Sequence, residues 1–252
     1  MANAPVIDDL LQLRFDDAPQ NVPDAPDAGL WQTIANHQSC RSYTDAPLDP
    51  DLVRHLCALA LCSPTKSDLQ QRDIIIVDDP DKRATINALF PDSKWIADAP
   101  VFLVFCGNNR RLRQIHARHG HPFENDHLDA FFNAAVDAGI ALSAFVLAAD
   151  AAGLGTCPIS TVRDHLETMN ELLGLPDWVF PVAGMTLGWP GREPRVNLRL
   201  PLAATVHTDS YNEDAQQGAI EAYDARRAEL RPYGSQRDPE RFGTRDPYTW
   251  SE

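Results

Sequence analysis

Three short stretches hold the residues that could do chemistry. They are His37-Gln38-Ser39-Cys40-Arg41-Ser42-Tyr43, the loop Ser63-Pro64-Thr65-Lys66-Ser67-Asp68-Leu69-Gln70, and Gly153-Leu154-Gly155-Thr156-Cys157-Pro158-Ile159-Ser160-Thr161, with Arg199 as a fourth element. Guanidinium groups contact phosphate in pairs of hydrogen bonds and a hydroxyl adds one more, so Arg41, Arg199 and Ser39 suit an anionic ester, although lone arginines are also ordinary surface residues. The hydroxyls and amides of the second loop empty onto an apolar run, which suits a polar, planar ligand and equally suits a plain turn. No nucleophile is paired with a base: neither Cys40 nor Cys157 has a His at a recognisable spacing. His116, His119, His121 and His127 lie close together, but their irregular spacing and the lack of a nearby Cys weigh against a metal-ligand set.

The elements that must position these residues follow from periodicity. Val53, Leu56, Cys57, Ala60 and Leu61 fall on one helical face within Leu52–Leu61, with Asp49 as N-cap, Pro50 in the first turn and Pro64 past the end. Ile74–Val77 reads as a strand, 79–90 as a helix ending at Pro91, and the continuous apolar run Val101–Cys106 as a strand covered on both faces. Residues 108–126 read as polar and irregular, and Leu128–Ala152 as a long helix apolar almost all round. After a tight loop at 153–160, Thr161 and Asp164 form the pattern of a capping box for a helix with Val162, Leu166, Met169 and Leu173 inward, closed by Gly174 and Pro176. Val179–Leu187 is a third buried strand, 204–207 a short edge strand and 215–230 a charged helix. Residues 1–30 read as an arm with one short helix over Ile7–Phe15, followed by a helical stretch over 30–36. With no repeat and no low-complexity linker, this order predicts an α+β or α/β domain with a small central sheet.

Composition narrows the function. The 252 residues carry a formal charge of −14 and no polybasic run, which argues against nucleic acid or an anionic membrane surface as a partner. The apolar stretch Ala138–Ala149, bounded by Asp137 and Asp150, is shorter than the ~20 residues a bilayer span needs. Met1–Pro5 lacks the basic and apolar regions of a signal peptide, and five cysteines without a CxxC spacing fit reduced thiols, so a cytoplasmic protein is expected.

The ordered set of motifs is similar to the FMN-dependent nitroreductase family. It comprises His37/Ser39/Arg41/Tyr43, then Ser63/Ser67/Leu69/Gln70 before a strand, Ala148–Gly155, Leu187–Pro190 and Arg199–Pro201, over residues 30–252. The last two resemble the larger, NADPH-preferring branch of oxygen-insensitive nitroreductases and flavin reductases. The resemblance implies a single nitroreductase-like α+β domain over 30–252, after an arm at 1–29. It further implies a small mixed or antiparallel sheet, an intertwined homodimer, and FMN held without a covalent bond at the dimer interface. On that reading His37, Ser39, Arg41 and Arg199 hold the phosphate, and Thr65, Ser67 and Gln70 meet the ribityl chain and ring edge. Pro158, Ile159, Ser160 and Thr161 then lie along the ring, with a backbone N–H toward flavin N5. The implied activity is ping-pong hydride transfer from NADPH, or NADH, through N5 to a nitroaromatic, quinone or related acceptor, with no catalytic side chain and no metal. The long apolar helix is then expected at the interface.

Several positions depart from the family pattern. Asp68 stands where an apolar residue is usual beside the substrate space and would disfavour anionic acceptors, although it also suits a solvent-facing turn. Ser160 and Thr161 replace a Gly-Gly pair, which crowds the closest backbone approach. Asn197 replaces an expected lysine, which predicts weaker FMN retention. Arg163, in the first turn after that loop, is a candidate substitute cation near the acceptor, although it suits an ordinary exposed helix arginine better. Arg227, Arg231 and Arg237 are basic candidates for the 2′-phosphate of NADPH, and the sequence ends at Trp250-Ser251-Glu252 where a longer tail is expected. These departures also fit an alternative: a flavin-storage or sensor member of the family with little reductase activity.

Overall fold

The computed structural model describes residues 7–18, 28–192, 195–236 and 238–252. In chain order its helices and strands are α1 (Ile7–Phe15), α2 (Ala28–Asn36), α3 (Pro50–Leu61), β1 (Arg72–Ile76), α4 (Pro80–Ala88), α5 (Lys94–Asp98) and β2 (Val101–Asn108). Then come α6 (Arg110–Arg118), α7 (Leu128–Ala151), β3 (Gly155–Ile159), α8 (Leu166–Leu173), β4 (Val179–Gly188), α9 (Gln216–Leu230) and α10 (Pro239–Phe242). Two compact units divide the chain, His37–Arg195 and Met1–Asn36 with Val196–Glu252.

In the unit His37–Arg195 the four strands form one antiparallel sheet in the order β1-β2-β4-β3. Side chains alternate across a strand, and β2 feeds two cores at once. Leu103 and Phe105 meet Val53, Leu56 and Ala60 of α3 and Ala141, Phe145 and Ala149 of α7. Phe102, Val104 and Cys106 meet Ile86 of α4, Ile96 of α5 and Met169 of α8 on the other face. That double burial explains the uninterrupted apolar run of β2. Helix α3 begins as its sequence predicts, with Asp49 Oδ1 accepting the Asp51 N–H at 2.9 Å and Pro50 at the first position. Gly174 ends α8 with φ +63°, and the Leu175 N–H reaches back to Asn170 O at 2.9 Å, a left-handed turn that glycine adopts without penalty.

Helix α7 is long and apolar enough to cross a membrane by length and composition alone. It is the core helix of this unit. Ala134, Ala138, Ala141, Phe145 and Ala149 are fully buried at three- and four-residue spacing, and the buried Asp137 shares their side of the helix. Leu128, Phe131, Phe132 and Val136 of the same helix stand exposed, at 78, 53, 62 and 40% of their surface.

The smaller unit has its own apolar cluster, in which Leu10, Ala35 and Val196 are buried with Ile7, Leu11 and Leu13 around them. Its tail turns onto α9: Asp224 accepts the Trp250 N–H at 3.0 Å, and the Trp250 ring meets Tyr223 edge to face.

Four expectations change. Residues 110–118 form helix α6, an arginine-rich helix with no buried residue, in which only Leu112 and Ile115 mark an apolar side among charged neighbours. Residues 155–159, expected as a loop, form edge strand β3, where Pro158 is tolerated because an edge leaves one side of the ladder unpaired. There is no capping box at Thr161 and Asp164: 160–165 is a 3-10 turn, and α8 starts at Leu166 without a side-chain cap. The edge strand expected at 204–207 is absent, its place taken by a 3-10 turn at Leu202–Ala204 closed by Thr205 N–H to Leu202 O.

Candidate functional site

The stretch 37–43 is laid along edge strand β3 and the end of β4. Ser39 bridges Thr156 in parallel, and the Cys40 N–H donates to Thr156 O at 2.8 Å. Tyr43 bridges Pro190, and its hydroxyl lies 2.7 Å from Cys40 O and 2.8 Å from Thr186 Oγ1. Burial pushes that phenol well above its ordinary range, so it remains a neutral tie between the stretch and the sheet. At the head of the stretch, His37 Nδ1 lies 2.6 Å from Asp150 Oδ2, at the end of α7. An ionised carboxylate only accepts, so Nδ1 carries the proton and the ring orientation is fixed. Arg41 is exposed, its guanidinium 5.7 Å from the centre of the Trp95 ring, and among the described residues no carboxylate is paired with it. Burial pushes up the Cys157 thiol, and Arg41 beside it pulls the other way.

The close approach of this stretch to β3 depends on Gly155. A Cβ there would lie 2.6 Å from both Cβ and Sγ of Cys40. Gly155→Ala is therefore expected to cost about 1–3 kcal/mol by overpacking. A fall in Tm with displaced Ser39 and Arg41 amide shifts checks this, and an unshifted spectrum with unchanged Tm contradicts it.

The second cluster precedes β1. Ser67, Asp68 and Gln70 have φ of +49°, +57° and +51°, a conformation that costs non-glycine residues of order 1 kcal/mol each. The loop is tied on every side. Arg72 Nη2 donates to Leu61 O and Ser63 O at 2.8 and 2.9 Å, and Arg111 Nη1 donates to Gln70 O at 2.7 Å. The fully buried Asp137 of α7 accepts the N–H groups of Lys66 and Gln71. The Gln70 side-chain amide donates to Asp68 Oδ1 at 3.1 Å. Thr65 is half-buried ahead of the turn, and Asp68, Leu69, Gln70, Arg72, Asp73 and Arg111 line a cavity of about 380 Å³.

At the end of β3, Pro158, Ser160 and Thr161 are exposed and Ile159 is buried. Arg163 is exposed at 3-10 turn 160–165 and gives one N–H to Val182 O. Arg199 belongs to the smaller unit. Its N–H donates to Arg14 O at 2.6 Å, and Arg14 is itself buried, its guanidinium lowered to about 10 by burial and then by the neighbouring Arg199 charge. Arg227 stacks on Tyr233 at 4.0 Å, Arg231 donates to Leu230 O, and Arg237 lies outside the described residues. Of the histidines of 116–127, His116 meets Pro122 O, His127 accepts the Asp129 N–H, and the His119 and His121 rings stack on each other. Among the described residues no group of three or more His, Cys, Asp or Glu is arranged to hold a metal.

Within one chain the two clusters do not converge. The loop 63–71 leads into β1 and the stretch 37–43 pairs along the outer side of β3, beyond the opposite edge of the sheet, so four strand spacings, about 19 Å, separate them. Helices cover both faces between them. Asp137, Asp150, Arg72 and Arg111 are site-building residues that motif reading passed over. The available signal was two carboxylates at the ends of an apolar stretch, since a charge buried in a core helix must have partners.

This antiparallel α+β fold, with a basic cluster along β3 and a strained polar loop before β1, defines a class that comparison with known proteins identifies. The model of the nitroreductase family matches residues 34–189, and that of the family's C-terminal domain matches 198–252. The chain belongs to the nitroreductase family. An FMN reductase [NAD(P)H] of Bacillus subtilis is 36% identical over 201 residues, 79% of this chain and 81% of the relative. An oxygen-insensitive NADPH nitroreductase of Salmonella typhimurium is 30% identical over 79% of this chain and 80% of its own length. The structure of B. megaterium NfrA2 has a TM-score of 0.78 at 34% identity, covering 88% of this chain and 87% of that one.

Proposed function

We propose that this protein is an FMN-dependent NAD(P)H oxidoreductase acting on nitroaromatics, quinones or related acceptors, as a cytoplasmic homodimer. The observation that carries the reading is the donor set of 37–41: an exposed Arg41 without a carboxylate partner among the described residues, beside the half-buried Ser39 and an oriented His37. A cation, an imidazole and a hydroxyl in one stretch fit a phosphomonoester, and the FMN and NADPH in the names of the relatives agree with it. His37, Ser39 and Arg41, with Arg199, hold the phosphate. Thr65, Ser67 and Gln70 meet the ribityl chain and ring edge, and the backbone of Pro158, Ile159, Ser160 and Thr161 runs beside the ring. Asp68 and Arg163 are neighbours of the acceptor. Residues 30–252 carry the proposed FMN site, preceded in the sequence by the segment 1–29.

The site is completed by two protomers. Clusters at opposite sheet edges cannot share a small ligand across two helix-covered faces, whereas the partner's loop can meet the basic cluster at an interface. The exposed apolar side chains of α7 supply that interface. The chemistry that FMN supplies when bound is hydride transfer from NAD(P)H to the acceptor in ping-pong order. The chain's own part is to orient the cofactor through backbone and amide donors, to neutralise its phosphate, and to exclude water from the reacting face.

An absorbance spectrum of the purified protein, followed by anaerobic addition of NADPH, tests this. Flavin bands that bleach on mixing are expected. Bands that persist with both NADPH and NADH favour a storage or sensor role, and a colourless protein that takes up no added FMN overturns the reading.

A further inference from the structure

We infer that Asp137 is the positioning residue of the flavin loop: its buried carboxylate closes residues 66–71 into the strained shape that aims Ser67 and Gln70 at the ligand. Asp137 is wholly inaccessible to solvent. Its Oδ1 accepts the Lys66 N–H at 2.9 Å and its Oδ2 accepts the Gln71 N–H at 3.0 Å, across more than sixty residues of sequence. Between those anchors lie the three left-handed residues Ser67, Asp68 and Gln70. Inside that span the Leu69 N–H turns back to Lys66 O at 2.9 Å. A strained segment persists only where its surroundings over-determine it, and here one carboxylate takes the N–H at each end of the turn. Both acceptor oxygens come from α7 of the same chain, so the loop has its shape before any ligand arrives.

The residue type is dictated by this geometry. Two inward N–H donors need two acceptors at carboxylate spacing. Asparagine has the same outline but offers one acceptor and turns its own NH2 against the second N–H. A buried donor left unpaired is expensive. Because α7 also carries the apolar face Phe131, Phe132 and Val136, the helix proposed to meet the partner also shapes the loop that the partner would use.

The inference rests on the proposed flavin site, and its test separates the two. FMN affinity is measured by fluorescence titration, and amide exchange of residues 63–71 is measured in the flavin-free dimer. Both are compared for the native protein, Asp137→Asn, and Met169→Ala as a core change beneath the other sheet face. For Asp137→Asn, exchange at Lys66 and Gln71 is expected to quicken at least about tenfold and the FMN Kd to rise about tenfold or more. Met169→Ala should lower Tm while leaving both values near native. If Asp137→Asn folds poorly, Asp137→Ser, smaller and still an acceptor, must show the same pairing of fast loop exchange with weak binding. Slow exchange in the variants, or fast exchange with native FMN affinity, overturns the positioning role. A native protein that binds no FMN overturns the flavin reading itself, and the positioning role falls with it.

Discussion

Arg41→Ala is expected to lose FMN, with a dissociation constant about 10- to 100-fold higher, because hydrogen bonds to charged groups are worth about 1.5–3 kcal/mol. The structure predicts little change in stability. Arg41 is exposed and no carboxylate is paired with it among the described residues, so its removal uncovers no buried charge. Arg41→Lys should recover only part of the affinity, since an ammonium brings charge without the planar fork. Affinity of the native protein should fall as salt rises, and that dependence should weaken in Arg41→Ala. Titration of FMN at two ionic strengths decides the matter. Native affinity in the alanine variant would remove 37–41 from the phosphate site.

The second large effect concerns α7. Phe132→Asp replaces a side chain that is 62% exposed and contributes little to the core of one chain. A monomer should therefore keep its fold, with circular dichroism unchanged. In a twofold assembly the same position is altered on both partners. Each buried, unpaired carboxylate costs several kcal/mol, so dimer affinity should fall by a factor of order 10³ or more. FMN should depart with the dimer, because the two ligand clusters sit on opposite edges of one sheet. Light scattering reads the mass and the flavin absorbance reads the occupancy. A variant that remains dimeric removes this face from the interface. A monomer that retains FMN would mean that one chain holds the cofactor by itself.

Sequence determined the parts whose physics is local. The Asp49 cap and Pro50 fixed the start of α3, the unbroken apolar run of β2 announced burial on both faces, and Gly174 with Pro176 marked the end of α8. The stretches 37–43 and 63–70 stood out because hydroxyls, amides and a guanidinium cluster beside breaks in periodicity. Strand β3 escaped notice because its identity comes from pairing with β4 and Ser39, which outweighs the turn signals of Gly155 and Pro158. Helix α6 escaped because Leu112 and Ile115 are its only large apolar residues and the helix buries none of its side chains.

Only tertiary structure revealed how the site is held. Asp137 and Asp150 looked like the ends of an apolar segment; folded, the first takes two backbone N–H groups of the strained loop and the second fixes the ring of His37. Nothing local encodes those bonds, since each joins residues at least sixty positions apart. Strand order had the same status. Residue spacing along a chain says which groups are near in sequence, but hydrogen-bonded pairing sent 37–43 and 63–71 to opposite edges of the sheet. Chemistry-bearing residue types were thus determined by the sequence alone, and their spatial arrangement by long-range contacts that form only when the sheet and α7 come together.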